Sequence, residues 1–105
     1  MEQSNVILDT PESIAKYRLF ALHKAFAFES DSGLYLTRRM PRVQDVARLY
    51  KFEGVRTKRQ LAEALYYLYK LVDNGEADYE IRDGVCFYSV GLNDLDGLEE
   101  AIKNA

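Results

Sequence analysis

The chain has 105 residues, of which 48% are hydrophobic and 30% charged, a composition typical of one globular domain rather than of a disordered protein. Its net charge is −3, and no apolar run approaches the roughly 20 residues of a membrane-spanning helix, so no membrane association is expected. The single cysteine, Cys86, excludes an intramolecular disulfide, and the acidic start lacks a secretory pattern, so a reducing, cytoplasmic location is expected.

The first predicted element is a helix that follows a flexible leader of nine residues and opens a single domain over residues 10–105. Thr10 suits the N-cap and Pro11 the first helical position. Apolar residues then recur at helical spacing in two stripes, at positions 14, 17, 21, 25 and 28 and at positions 15, 19, 22 and 26. Two stripes predict a largely buried helix, and the polar run 29–33 predicts the loop that ends it.

A short strand at 34–37 and two further helices are predicted next. The second helix should begin at Pro41, with an apolar pattern at positions 43, 46, 47 and 50. The third should begin after Thr57, because Thr57 and Gln60 have the spacing of a capping box. Its end is marked by Gly75, which suits the left-handed position after a helix.

The dipeptide Asp83-Gly84 separates two β-prone runs and predicts a hairpin. A two-residue loop places Tyr79 opposite Tyr88, and partners across a hairpin share a face. One face is therefore expected to face the core, and it carries Ala77, Tyr79, Ile81, Cys86, Tyr88 and Val90. A last helix is predicted over residues 94–103, with Leu95, Leu98 and Ile102 on one side and Gly97 weakening it by up to about 1 kcal/mol.

The predicted order of helix, strand, helix, helix, hairpin and helix resembles the winged helix-turn-helix family over residues 10–90. The resemblance implies an α+β, winged-helix-like fold: a three-helix core with a short strand, a C-terminal β-hairpin as the wing, and a terminal helix. The second and third helices would form the helix-turn-helix, and the third would be the recognition helix. Winged-helix domains also bind proteins, so the fold alone does not assign a function.

Charge is distributed unevenly along the chain. Residues 37–59 contain eight basic and two acidic residues, a net charge of +6, whereas the rest carries six basic and fifteen acidic residues, a net charge of −9. Local charge governs contact with phosphates, so this segment is a candidate nucleic-acid interface. The alternative for the same segment is an Arg-rich solvated face with no ligand.

Under the winged-helix resemblance, the first turn of the third helix offers Lys58, Arg59 and Gln60 to base edges, and Lys70 lies further along its solvent face. The phosphate-contacting residues would be Arg38, Arg39, Arg42 and Arg56. Two features oppose this reading: Glu63 falls in the middle of the same solvent face, and the wing tip carries the acidic Asp83 where a basic residue suits DNA.

The sequence offers no centre for catalysis or for metal binding. His23 is the only histidine and Cys86 the only cysteine, too few for a standard zinc site, and no glycine-rich phosphate loop is present. We interpret His23 as a structural helical residue and Cys86 as a buried thiol on the hairpin's core face. The chain is therefore predicted to be no enzyme and to need no cofactor.

Aromatic residues suggest a second kind of surface. Tyr66, Tyr67 and Phe87 are candidates for contact with a partner, because tyrosine rings bury area and tolerate water at interfaces. The alternative is that these tyrosines pad a small core.

Two functions therefore stay open. The first is a DNA-binding module, a small transcriptional regulator that binds duplex DNA as a homodimer through the C-terminal helix. The second is a protein-interaction adaptor, or a phage or mobile-element inhibitor, that uses the same fold without binding DNA. A contiguous basic face favours the first function, and a basic segment interrupted by acidic residues beside exposed aromatics favours the second.

Overall fold

A computed structural model describes residues 10–32 and 41–105 of the chain. In these two ranges the chain is α+β, with four α-helices and one two-stranded antiparallel sheet, in agreement with the predicted class. The elements are α1 (Pro11–Ser32), α2 (Val43–Leu49), α3 (Lys58–Asp73), β1 (Asp78–Arg82), β2 (Val85–Ser89), a short 3-10 turn (Leu92–Asp94) and α4 (Leu95–Lys103). The predicted leader, the predicted strand at 34–37, and Arg38 and Arg39 lie outside the described residues.

Helix α1 begins as predicted and ends later. The Ser13 backbone N–H donates to Thr10 Oγ1 at 3.1 Å, so Thr10 caps the helix. The predicted loop at 29–33 is wrong for its first residues, because the helix continues to Ser32. Its last turns are tied to α3 by Glu29, whose side chain is 1% exposed. Glu29 Oε1 forms an ion pair with Lys58 Nζ of α3 at a distance of 3.1 Å.

Helices α2 and α3 follow their sequence signals closely. Helix α2 starts at Val43 with Arg42 as its N-cap, two residues after the predicted start at Pro41. At α3 both bonds of the capping box are present: the Gln60 N–H donates to Thr57 Oγ1 at 3.1 Å, and Gln60 Oε1 accepts from the Thr57 N–H at 3.2 Å. Gly75 ends α3 at a φ of +74°.

The hairpin has the predicted register but not the predicted burial. Tyr79 pairs with Tyr88 and Ile81 with Cys86, on either side of the Asp83-Gly84 turn. Cys86 is buried, whereas Tyr79 is 58% and Ile81 46% exposed, so the expected core face is wrong for β1. The reason is that β2 is the strand that packs against α1, while β1 extends outward and is exposed at every residue.

The core lies between α1 and α3, which run antiparallel. Its fully buried large side chains are Leu19, Phe26, Leu61, Leu65 and Leu68. Helix α4 closes one side of this core with Leu98 and Ile102, which are both buried. Of the three residues expected to form a homodimer interface on this helix, two are therefore unavailable, and Leu95 alone is exposed.

Gly97 has a packing role that its helical position did not suggest. The Tyr67 hydroxyl donates to the Asp94 carbonyl oxygen at 3.2 Å, which places the tyrosine ring over α4. A Cβ atom at Gly97 would lie 2.8 Å from Tyr67 Cζ and closer still to its hydroxyl oxygen. Glycine at this position thus permits the close approach of α3 and α4.

Candidate interaction surfaces

The first turn of α3, which the winged-helix resemblance assigned to base reading, is engaged within the molecule. Lys58 pairs with the buried Glu29. Gln60 Oε1 accepts backbone N–H groups from Arg56 at 2.8 Å and from Thr57 at 3.2 Å, so its amide serves the helix cap. Arg59 lies 3.4 Å from Asp31, but both side chains are largely exposed, and such surface pairs contribute little. Of the three residues, only Arg59 could bind an external ligand with little loss of free energy from broken internal contacts.

Of the side chains predicted for the solvent face of α3, four are exposed, with Tyr66 rather than Tyr67 as the aromatic member. These side chains are Arg59, Glu63, Tyr66 and Lys70, and all four are exposed. The Lys70 ammonium lies 4.8 Å from the centre of the Tyr66 ring. Glu63 stands between the cations, so negative charge interrupts the face.

Two predicted phosphate contacts are exposed at the end of the molecule where α2 and α3 begin. Arg42 and Arg56 have no ion-pair partner among the described residues. The side-chain amide nitrogen of Gln44, Nε2, donates to the Val55 carbonyl oxygen at 2.9 Å, which joins the start of α2 to the segment before α3. The bond brings the start of α2 close to the segment that carries Arg56.

Elsewhere the basic segment is interspersed with carboxylates. Arg48 lies 3.8 Å from Asp45 within α2. The loop after α2 meets α4, where Lys51 shares the lining of a shallow groove with Glu53 and Glu99. The net charge of +6 already counts Asp45 and Glu53, and it is further offset by Glu29 and Asp31 of α1, which pair with Lys58 and Arg59.

An aromatic seam, formed by Phe20, His23, Tyr66 and Tyr69, closes one side of the α1–α3 contact. Phe20 and Tyr69 have ring centres 5.2 Å apart, and His23 stacks on Tyr66 at 4.9 Å. His23 Nδ1 lies 3.0 Å from the Ala62 carbonyl oxygen, to which it donates, as expected of a structural histidine. The seam uses these rings for packing between helices, with Tyr66 still partly open to solvent.

The seam ends at an ion pair between Lys16 and Asp73, whose charged atoms are 2.7 Å apart. The hydrogen bond to the Asp73 carboxylate raises the pKa of Lys16. Lys16 is therefore committed to α3, unlike the other cations of α1.

The outer stripe of α1, defined as Ile14, Tyr17, Ala21 and Phe28, is exposed at each of these residues, whereas Ala25, which has the same spacing, is half-buried. Ile14 is 40%, Tyr17 60% and Phe28 46% exposed. The prediction that α1 is largely buried holds for the other stripe, with Ala15, Leu19 and Phe26 in the core, and is wrong for this one. Helix α3 and strand β2 cover one side of α1, and no described element packs over the opposite side.

The face of the hairpin opposite Cys86 carries a smaller aromatic site. Phe87 is half-buried, and the Arg82 guanidinium carbon lies 4.4 Å from the centre of its ring. On the opposite face, burial raises the pKa of the Cys86 thiol and raises the pKa of Tyr88 to about 12. A buried thiol with a raised pKa is a poor nucleophile, in keeping with a structural role.

Among residues 10–32 and 41–105, no cluster of three or more histidine, cysteine, aspartate or glutamate side chains has the geometry to hold a metal ion. The helices in the same ranges are all too short or too polar to cross a membrane.

Comparison with known proteins returned no matching family model, no matching curated protein and no matching solved structure. Three surfaces of the molecule are candidates for binding a ligand or a partner. They are the arginine end at α2 and α3, the solvent face of α3, and the outer stripe of α1.

Proposed function

We propose that this chain is a protein-interaction module that docks a partner on the outer stripe of α1. The observation that carries the proposal is the exposure of Ile14, Tyr17 and Phe28 on one face of a 22-residue helix whose other face is core. Single exposed apolar residues are ordinary on protein surfaces, but a contiguous apolar stripe marks an interaction site.

The dimensions of the stripe suit a helical or extended partner segment. From Ile14 to Phe28 it runs about 21 Å along α1, at about 1.5 Å per residue. Its largest side chain is a tyrosine, and tyrosine is enriched in interfaces because its ring buries apolar area while its hydroxyl accepts hydration. A partner helix packed along this face would bury the stripe by the same ridge-and-groove contacts that bury the inner one.

The scaffold also keeps the stripe ordered before binding. Leu19 and Phe26, on the opposite side of the helix, are at most 1% exposed and fix α1 against α3. The Glu29–Lys58 pair and the Lys16–Asp73 pair tie the helix to α3 near both of its ends. A rigid docking surface loses little conformational entropy on association, so more of the contact free energy appears as affinity.

Site-specific photo-crosslinking in extracts of the native cells tests the proposal. A photoreactive benzoylphenylalanine in place of Tyr17 should give one dominant protein adduct, and excess unlabelled chain should compete it away. Excess Ile14→Ser/Tyr17→Ser chain should not compete. The control places the same group at Arg48, an exposed position on α2. Equal labelling from both positions, or none from position 17, would reject the docking surface.

A second candidate function is nucleic-acid binding by a winged-helix-like arrangement, with α3 as the recognition helix. The observation in its favour is the pair Arg42 and Arg56, exposed and without ion-pair partners in the described ranges, at the end of the molecule where Arg59 also lies. Arginine guanidinium groups in this setting suit phosphate oxygens. We rank nucleic-acid binding second to protein docking, because Glu63 interrupts the basic face and because Lys58 and Gln60 are engaged within the molecule.

Titration of duplex DNA at two salt concentrations tests this second function. If it is correct, affinity falls steeply with salt, and Arg42→Ala/Arg56→Ala weakens binding to all sequences and lowers the salt slope by about 2. Arg18→Ala/Lys24→Ala serves as the matched loss of two exposed positive charges, placed on α1 away from the starts of α2 and α3. Salt-insensitive binding, or binding unchanged in the double variant, excludes the arginine end as a phosphate site.

A further inference from the structure

Between Ser13 and Phe28, all the charged side chains that α1 itself contributes are positive. From Ser13 to Phe28, α1 carries Lys16, Arg18 and Lys24 and no carboxylate. Lys16 is neutralised by Asp73. Arg18 and Lys24 are exposed and have no ion-pair partner among the described residues. The stripe is therefore apolar with a positive border.

Arg18 and Lys24 lie on opposite edges of the stripe. At 100° per residue, Arg18 falls about 70° to one side of the stripe and Lys24 about 50° to the other. The Lys24 ammonium lies 5.4 Å from the centre of the Phe20 ring, which holds it beside the stripe rather than over it. A helix that lies in the stripe would thus meet one cation on each flank.

A second copy of the chain is a poor occupant of this surface. In an antiparallel two-fold pair of α1 helices centred on Ala21, each cation would lie on the same flank of the interface as its own equivalent in the other copy. In a parallel two-fold pair, Arg18 of one copy would lie on the same flank as Lys24 of the other. Both arrangements place like charges together at the edges of the interface, where they oppose association.

The chain's own acidic helix, α4, is not suited to dock on this stripe from a second copy. Its apolar residues Leu98 and Ile102 are buried in the core, so it has no apolar stripe to present. Only Leu95 on its first turn is exposed.

We infer that the outer stripe of α1 binds an amphipathic helix of a different protein, with acidic residues on both sides of its apolar face. This inference rests on the proposed docking function and specifies the partner's chemistry. Apolar residues of the partner helix, at spacings of three and four, contact Ile14, Tyr17 and Ala21 over about two turns. Its carboxylates pair with Arg18, whose planar guanidinium accommodates two carboxylate oxygens, and with Lys24.

Two lactam-stapled helical peptides test the inference with the full chain. They share one leucine stripe and differ only in their flanking residues, which are glutamates in one and lysines in the other. In a fluorescence anisotropy titration at low salt, the acidic peptide should bind roughly tenfold more tightly, as expected for two partly screened ion pairs. The difference should shrink in 1 M salt, where the screening length falls to about 3 Å.

Variants of the chain separate the two levels of the proposal. Arg18→Glu/Lys24→Glu should reverse the preference between the peptides, and Arg18→Gln/Lys24→Gln should abolish it. Ile14→Ser/Tyr17→Ser should weaken both peptides alike. Circular dichroism of each variant checks that the helical fold is retained.

Each outcome of the titration has a distinct consequence. Equal affinity for both peptides, lost in Ile14→Ser/Tyr17→Ser, overturns the acidic partner and leaves the docking surface standing. Tighter binding of the basic peptide overturns the acidic partner in the same way. Binding of neither peptide overturns the docking surface itself.

Discussion

Helix α1 carries two apolar stripes of similar composition, and the protein uses them in opposite ways. The inner stripe, with Leu19 and Phe26, is closed over by α3 and β2, whereas the outer stripe, with Ile14 and Tyr17, is left in solvent. Hydrophobic periodicity detects both stripes equally, because it records only the spacing of apolar residues. Which stripe is covered depends on the elements that pack against the helix, and this difference makes the outer stripe a candidate docking surface.

The largest effect separating the two stripes is expected from matched truncations on α1. Leu19→Ala removes a side chain with no exposed surface and should lower the free energy of unfolding by about 2–5 kcal/mol, because a cavity replaces well-packed contacts. Tyr17→Ala, two residues away, should lower it by less than about 0.5 kcal/mol. Urea denaturation of both variants measures the difference. Similar losses would mean that the outer stripe is packed in solution.

A second test concerns the covered side of α3, where Tyr67 contacts α4. Gly97→Ala should destabilise the fold by about 1–3 kcal/mol, because the added methyl group overlaps the Tyr67 ring, although alanine favours the helix. Thermal denaturation monitored by circular dichroism detects this loss.

The overlap with Tyr67 has its own control. In a Tyr67→Leu background the same Gly97→Ala change should cost far less, so a double-mutant cycle should show strong coupling. Additive effects would indicate that the ring does not lie over Gly97.

A smaller effect is expected at the start of α3. Thr57→Ala removes the side-chain acceptor of the capping box and should cost about 1 kcal/mol, while Thr57→Ser should keep most of it. Chemical denaturation of the two variants makes the comparison. Equal stability of both with the parent chain would argue that the cap does not form.

The smallest effect on stability, and the largest on binding, is expected from the outer stripe. Ile14→Ser/Tyr17→Ser should leave the denaturation midpoint nearly unchanged, because both side chains are substantially exposed. The same variant should lose the crosslinked partner. A large fall in stability would assign these residues to the fold rather than to docking.

Local signals in the sequence predicted local structure well. The capping box of Thr57 and Gln60 and the Asp83-Gly84 turn each depend on residues a few positions apart, and both form with the expected partners and register. The capping box also engages one predicted site residue, because Gln60 Oε1 accepts backbone N–H groups at the cap.

The spacing of apolar residues did not predict which of them other elements bury. Tyr79 and Ile81 alternate as core residues do, yet no described element lies over β1. The ion pair between Glu29 and Lys58 joins residues 29 positions apart in the chain and engages a predicted DNA contact within the molecule. Nothing in the periodicity of either helix indicates that pairing, because it depends on how α1 and α3 pack together.

The most direct test of the docking surface is nuclear magnetic resonance of the nitrogen-15-labelled chain titrated with the acidic stapled peptide. We expect the largest amide shift changes in residues 13–28 of α1, with little change at the starts of α2 and α3 or in the hairpin. Changes centred on residues 41–60, or on β1 and β2, would contradict the assignment of the outer stripe as the docking surface.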